Sequence, residues 1–86
     1  MVLNDVIYRI QKMEMCFDAL QNTPVYHRDS AFFRALLESF LQYYEGGNWR
    51  SDFALDEKGV LPKDLKRGVL SEDGVYNFLE GLDATK

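Results

Sequence analysis

Four carboxylates occur as two pairs with the spacing of a metal-binding helix face. Asp52 and Asp56 are four residues apart, and so are Glu14 and Asp18 near the start of the chain. Two carboxylates on one helix face can hold Mg²⁺ through its water ligands, and the second pair would complete the coordination. A Mg²⁺-dependent hydrolase acting on nucleotides is therefore one hypothesis. The same spacing is typical of a solvated helix face, or of acids paired with basic residues of the chain.

Three basic residues, Lys63, Lys66 and Arg67, stand just before a helix that can begin at Ser71. In the hydrolase hypothesis, Lys66 or Arg67 would hold the phosphate. The order of elements also matches a helix-turn-helix, in which the second helix enters the major groove of DNA. That helix would open with two acids facing phosphate groups, so nucleic acid is a disfavoured partner. An ion-pair layer between this basic cluster and nearby acids is the simpler interpretation.

Cys16 and His27 are the only cysteine and the only histidine in the chain. A structural zinc site needs about four ligands, and these residues supply two candidates. Nothing in their spacing favours a nucleophile and its base. We therefore predict no cofactor and no metal centre of this kind. A single cysteine, with an N-terminal segment that has neither a basic region nor a long apolar run, favours the reducing cytoplasm and no membrane association.

Aromatic side chains surround a turn of two glycines in the middle of the chain. Tyr43 and Tyr44 precede the turn, and Trp49 and Arg50 follow it. Aromatic and arginine side chains beside an exposed turn make strong anchors in protein interfaces. A small core also needs large side chains, so these rings have two open roles, in the core or at a binding surface.

Two long helices are predicted for the first half of the chain. Apolar residues recur at intervals of three and four from 3 to 20, which predicts a helix over 4–22 that packs along another helix. Asp29 or Ser30 can cap a second helix over 30–45. Apolar side chains cover well over a third of the circumference of this second helix. It must therefore be central in the domain or part of a subunit interface, and a homodimer is an open prediction.

Shorter elements follow in the second half. Asn48 can cap a helix over 49–57, a single helical turn is predicted for 63–67, and Ser71 can cap a last helix over 72–83. No segment alternates as a strand would. The predicted fold class is all-α: an antiparallel hairpin of the two long helices, with the shorter helices packed across it, in one domain spanning all 86 residues.

The second half also carries long runs of specific residues. Tyr-Tyr-Glu-Gly-Gly-Asn-Trp-Arg-Ser-Asp-Phe occupies 43–53, and Leu-Pro-Lys-Asp-Leu-Lys-Arg-Gly-Val-Leu-Ser-Glu-Asp occupies 61–73. Over 43–77 the chain resembles a small bacterial family catalogued as domain of unknown function 4298; the first helix resembles it only as an amphipathic pattern. The resemblance implies a compact domain of the bacterial cytoplasm and implies no activity.

Composition limits the remaining hypotheses. With 47% hydrophobic residues and a net charge of −4, the chain is too apolar for disorder and too acidic for a typical nucleic-acid binder. The leading hypothesis is a non-enzymatic protein-protein interaction module whose partner is another protein or a second copy. A small accessory inhibitor of a nucleic-acid enzyme is an alternative, besides the nucleotide hydrolase. The predicted binding residues are Tyr43, Tyr44, Trp49, Arg50, Asp52, Asp56, Asp64, Lys66 and Arg67.

Overall fold

The computed structural model describes residues 3–84, with side chains described for 3–82. Its four helices are α1 (Leu3–Asn22), α2 (Ala31–Glu45), α3 (Asn48–Glu57) and α4 (Glu72–Ala84), with 3₁₀ turns at Val25–His27 and Gly68–Leu70. The described residues contain no strand, so the predicted all-α class is confirmed. The predicted helix bounds are within one residue of those observed. None of the described helices is long and apolar enough to cross a membrane.

α1 buries the apolar stripe that its residue spacing predicts. Val6, Ile10, Phe17 and Leu20 all lie in the core. Full burial of a side chain of this size stabilises the folded state by about 1.5–3 kcal/mol. The stripe therefore fixes which face of α1 meets the rest of the protein.

α1 and α2 lie side by side and run in opposite directions. The thiol of Cys16 donates to the carbonyl oxygen of Leu36 at 3.4 Å, and the ring of Phe17 stacks on that of Phe40 with centroids 5.3 Å apart. Earlier on α1, Arg9 lies across a shallow groove from the end of α2. Because the start of α1 meets the end of α2, the two long helices form the predicted antiparallel hairpin.

α2 is covered on two sides, as its apolar circumference requires. α1 packs on one side and α3 on another. At its start, Ser30 acts as the N-cap, since its hydroxyl accepts a hydrogen bond from the backbone N–H of Phe33 at 3.1 Å. Of the two candidate caps that the sequence offers, Asp29 and Ser30, the structure therefore uses Ser30.

Gly46 and Gly47 connect α2 to α3. Gly47 has a φ of 99°, in the left-handed region that favours glycine. The prediction that Asn48 caps α3 through its side chain is wrong, because Asn48 is already helical and the capping position is Gly47. The left-handed glycine turns the chain directly into the first turn of α3.

The helical turn predicted over 63–67 is replaced by a reverse turn. The backbone N–H of Leu65 donates to the carbonyl oxygen of Pro62 at 3.2 Å, and no helix continues from there. Arg67 supplies the physical reason, because its guanidinium donates to the carbonyl oxygens of Pro62 and Leu65. A side chain thus satisfies acceptors that a longer helical turn would use.

The 3₁₀ turn Gly68–Leu70 is the centre of the fold. It contacts α1, α3 and α4, and both Val69 and Leu70 are buried. Through these contacts, the turn is the point where the second half of the chain meets the hairpin.

α4 packs across the hairpin after this turn. The hydroxyl of Ser71 accepts a hydrogen bond from the backbone N–H of Gly74 at 3.1 Å, as its predicted capping role requires. The ring of Phe78 meets those of Phe17 and Phe40 edge-on, with centroids 5.4 and 6.4 Å away. These ring contacts join α4 to both long helices.

Candidate functional site

Asp52, on α3, is the only buried charged side chain in the part of the chain that the structure describes. Arg9 on α1 binds both of its carboxylate oxygens, with Nε 3.0 Å from Oδ2 and Nη2 donating to Oδ1. The hydroxyl of Tyr43 on α2 donates to Oδ2 at 2.6 Å. One carboxylate therefore joins three helices.

The groups around Asp52 hold fixed protonation states. The hydrogen bond with Asp52 raises the pKa of the Arg9 guanidinium, against the lowering effect of burial. Burial, followed by the hydrogen bond with Asp52, raises the pKa of the Tyr43 hydroxyl far above its usual value of 10.0. A general acid or base needs a pKa near the working pH. This cluster is thus suited to holding helices together rather than to transferring protons.

A second ion pair connects α3 to the segment that follows it. Nη1 of Arg67 donates to Oδ1 of Asp56, and both side chains are partly exposed. Partly exposed pairs of this kind contribute little to stability, up to about 1 kcal/mol. Its effect is to orient the Arg67 side chain toward the carbonyl oxygens of the reverse turn.

Val69 is held by side chains from two helices. Oε1 of Glu14 on α1 accepts a hydrogen bond from the backbone N–H of Val69 at 2.7 Å. Nε1 of Trp49 on α3 donates to the carbonyl oxygen of Val69 at 2.8 Å. A Cβ at the neighbouring Gly68 would lie 3.1 Å from a carboxylate oxygen of Glu14. A side chain at position 68 would therefore require the Glu14 carboxylate to shift by a few tenths of an ångström.

Two of the predicted binding residues lie in the core. Tyr43 is 5% exposed and Trp49 is 7% exposed. The indole ring of Trp49 packs between Tyr44 and Phe53, with ring centroids 5.0 and 5.1 Å away. Of the two roles left open by the sequence, the core role is the one seen for Tyr43 and Trp49, because their rings and polar groups make contacts inside the fold.

Other predicted binding residues are at the surface. Arg50, Asp64 and Lys66 are exposed, and Tyr44 is half-buried. Asp64 and Lys66 lie on the rim of a groove whose other wall is α1, with Glu14 and Asp18 among its lining residues. Their role in binding a partner stays a prediction.

The four carboxylates of the hydrolase hypothesis have different surroundings. Asp52 and Asp56 are in separate ion pairs, Glu14 accepts from Val69, and Asp18 is exposed. Among the described residues, no group of three or more His, Cys, Asp or Glu side chains is placed to hold a metal ion. The structure therefore does not bring the two pairs together as one site.

Arg9 is the residue that sequence reasoning missed. It follows Asp5 by four residues, a spacing that favours a local ion pair. In the structure it binds Asp52, which is 43 residues away. The sequence contains one signal for this pair, which is Asp52 itself. It lies between Trp49 and Phe53 on the apolar edge of α3. A carboxylate in such a position needs a buried cation.

A groove of about 430 Å³ lies where the connection between α1 and α2 meets α4. We call it the connection groove; its lining includes Val25, Tyr26, Arg28, Phe33 and Leu82. In the described part of the chain, Nε of Arg28 is the only buried side-chain polar atom without a hydrogen-bond partner. Such atoms are rare in folded proteins.

The described helices form a small all-α fold around an apolar core, with polar contacts that join α1, α2 and α3. A family model described as Domain of unknown function (DUF4298) matches residues 10–85. The match covers most of the chain, so this protein belongs to that family, which confirms the resemblance seen over 43–77. No curated protein and no solved structure gives a significant match.

Proposed function

We propose that the protein is a non-enzymatic binding module that recognises a partner protein through the connection groove. The observation that carries this proposal is the Arg28 guanidinium, which makes neither a hydrogen bond nor an ion pair among the described residues, beside an apolar groove. The binding surface thus differs from the one predicted around the turn between α2 and α3.

Exposed apolar side chains at the groove support the proposal. Val25 is 59% exposed and Tyr26 is 77% exposed. Tyrosine is enriched among the residues that contribute most to binding in protein interfaces. A partner that covers these two side chains removes their apolar surface from water, which favours association.

The charge at the groove indicates the chemistry of the partner. Asp29 also lines the groove, but the Arg28 guanidinium forms no ion pair with it or with any other carboxylate of the described chain. A guanidinium binds a carboxylate through two parallel hydrogen bonds. The expected partner segment therefore places an apolar side chain in the groove and an acidic side chain beside Arg28.

The state of Cys16 supports a non-enzymatic role. Its thiol is buried, and burial raises its pKa above the usual value. A thiol of raised pKa is a poor nucleophile near neutral pH. The lone cysteine and the family resemblance also support placing the module in the bacterial cytoplasm.

Site-specific photo-crosslinking tests the proposal. A benzophenone amino acid at position 26 is expected to form an adduct with a second polypeptide in cells that naturally make the protein. The matched control has the same group at Tyr8, which is 66% exposed on α1, and is expected to give no such adduct.

Arg28→Glu, combined with the probe at position 26, is expected to abolish the adduct because the partner carboxylate is then repelled. Equal adducts from positions 8 and 26, or an adduct that survives Arg28→Glu, would show that the connection groove is not the binding site. A urea titration of Arg28→Glu checks that the fold is retained.

A further inference from the structure

A groove of about 470 Å³ runs along α1 on the surface of the protein. We call it the α1 groove. One wall is α1, from Ile7 to Asp18, and the other is the reverse turn that begins at Pro62. Residues 7 to 18 cover three turns of helix, or about 16 Å along the helix axis. The α1 groove is therefore long enough to hold a short helix.

Apolar side chains from both walls line the α1 groove. Ile7 is half-buried, Leu65 is buried, and Met15 is 73% exposed. Methionine is flexible and polarizable, and it is common at surfaces that bind other proteins. A partner that covers these side chains removes apolar surface from water, which favours association.

The charges of the α1 groove are mostly negative. Glu14 and Asp18 line it from α1, and Asp64 and Lys66 line it from the reverse turn. Asp18, Asp64 and Lys66 are exposed and form no ion pair among the described residues. Glu14 accepts only from the neutral N–H of Val69, so its charge is not cancelled by a cation. Three negative charges and one positive charge make the groove attractive to a partner with several basic groups.

The spacing of these carboxylates favours an extended cation over a single ion. No group of them is placed to hold a metal ion in the part of the chain that the structure describes. Glu14 and Asp18 are four residues apart, which is about 6 Å along the helix axis. Two basic side chains one turn apart on a partner helix have the same spacing, so they complement this wall.

We propose that the α1 groove binds a basic amphipathic helix of a partner protein. The apolar face of that helix packs on Ile7, Met15 and Leu65, and its basic side chains lie beside the carboxylates of both walls. Burial of the apolar face of a helix in a groove is a common mode of peptide recognition. The proposal does not depend on the connection groove, which shares no lining residue with the α1 groove.

Fluorescence anisotropy of the full-length protein with a synthetic helical peptide tests the proposal. The labelled peptide has leucine on one face and lysine on the other, and a matched peptide has glutamine in place of lysine. The lysine peptide is expected to bind, and the glutamine peptide is expected to bind about tenfold more weakly. Asp18→Lys and Asp64→Lys are each expected to raise the Kd of the lysine peptide about tenfold. Lys66→Glu is expected to lower it, because this change removes the positive charge of the groove.

Three further variants separate the α1 groove from other surfaces. Asp73→Lys makes the same change in net charge at an exposed position on α4, and it is expected to leave the Kd unchanged. Arg28→Glu alters the connection groove and is also expected to leave it unchanged. Met15→Gln keeps the charge but removes an apolar contact, so it is expected to raise the Kd several-fold.

Four outcomes would overturn the proposal. The first two are a lysine peptide that does not bind the wild type and a glutamine peptide that binds equally well. The third is an Asp73→Lys variant that weakens binding as much as Asp18→Lys does, since the attraction would then be general to an acidic protein. The fourth is a Lys66→Glu variant that binds no more tightly than the wild type. Circular dichroism checks that each variant is folded.

Discussion

At the scale of single residues, Asp52 determines how three helices meet. Removing a carboxylate from water costs several kcal/mol, so a buried carboxylate persists only when its oxygens are well satisfied. Here Arg9 and Tyr43 together give it three hydrogen bonds. The donors come from α1 and α2. Because Asp52 needs both of them, its burial fixes the positions of α1 and α2 relative to α3.

Replacing Asp52 is expected to destabilise the protein strongly. Asp52→Asn leaves the Arg9 guanidinium without its counter-charge, and the free energy of unfolding is expected to fall by about 3 kcal/mol or more. Urea denaturation measures the change, with Asp73→Asn on the exposed start of α4 as the control. A loss below about 1 kcal/mol would contradict this role. The double variant Arg9→Met, Asp52→Leu is expected to recover part of the loss, since it removes both charges.

The Tyr43 hydroxyl gives the protein a specific sensitivity to alkali. Its pKa is raised in the folded state by burial and by Asp52, whereas in the unfolded chain it stays near 10. Its contribution to stability is therefore complete below pH 10 and is lost as the pH rises above that value. Above pH 10, the wild type is expected to lose about 1 kcal/mol per pH unit more than Tyr43→Phe.

Urea titrations at a series of pH values from neutral to alkaline measure this difference. The hydroxyl of Tyr76, whose pKa is raised by its hydrogen bond with Glu80, is present in both proteins and so cancels. Parallel pH profiles for the wild type and Tyr43→Phe would show that Tyr43 ionises equally well in the folded and unfolded states.

At the scale of elements, the turn Gly68–Leu70 is held less by its own backbone than by neighbouring helices. Glu14 on α1 accepts a hydrogen bond from the N–H of Val69, and Trp49 on α3 donates one to its carbonyl oxygen. A three-residue turn has too few internal hydrogen bonds to be stable alone. The turn and the helices around it therefore depend on one another.

Glu14 is expected to contribute to stability through this turn. Glu14→Ala removes the acceptor of the Val69 N–H, and the free energy of unfolding is expected to fall by about 1–3 kcal/mol. Glu14→Gln keeps an acceptor oxygen and is expected to cost less. Asp18→Ala, one helical turn further along α1 and exposed, is the matched control. If Glu14→Ala and Asp18→Ala have equal effects in urea denaturation, the hydrogen bond to Val69 contributes nothing.

At the scale of the whole molecule, local signals in the sequence were sufficient to predict the helices but not the polar contacts between them. The spacing of Val6, Ile10, Phe17 and Leu20 predicts the buried face of α1, and Ser30 and Ser71 are recognisable as caps from their positions alone. The Arg9–Asp52 pair joins residues 43 apart, and nothing in either local sequence selects the other. The prediction of a helical turn over 63–67 was wrong because the Arg67 side chain donates to carbonyl oxygens of its own segment, a local contact that helix propensity does not include.

The position of Gly68–Leu70 also determines how the protein folds and unfolds. The bond between Glu14 and Val69 spans 55 residues, so the chain must close a long loop before this turn is in place. The contacts of the helical hairpin are closer in sequence, so its formation requires the closure of a shorter loop. Until the turn docks, the indole N–H of Trp49 and the carboxylate of Glu14 lack their partners. We therefore expect the first three helices and α4 to unfold together in one cooperative transition.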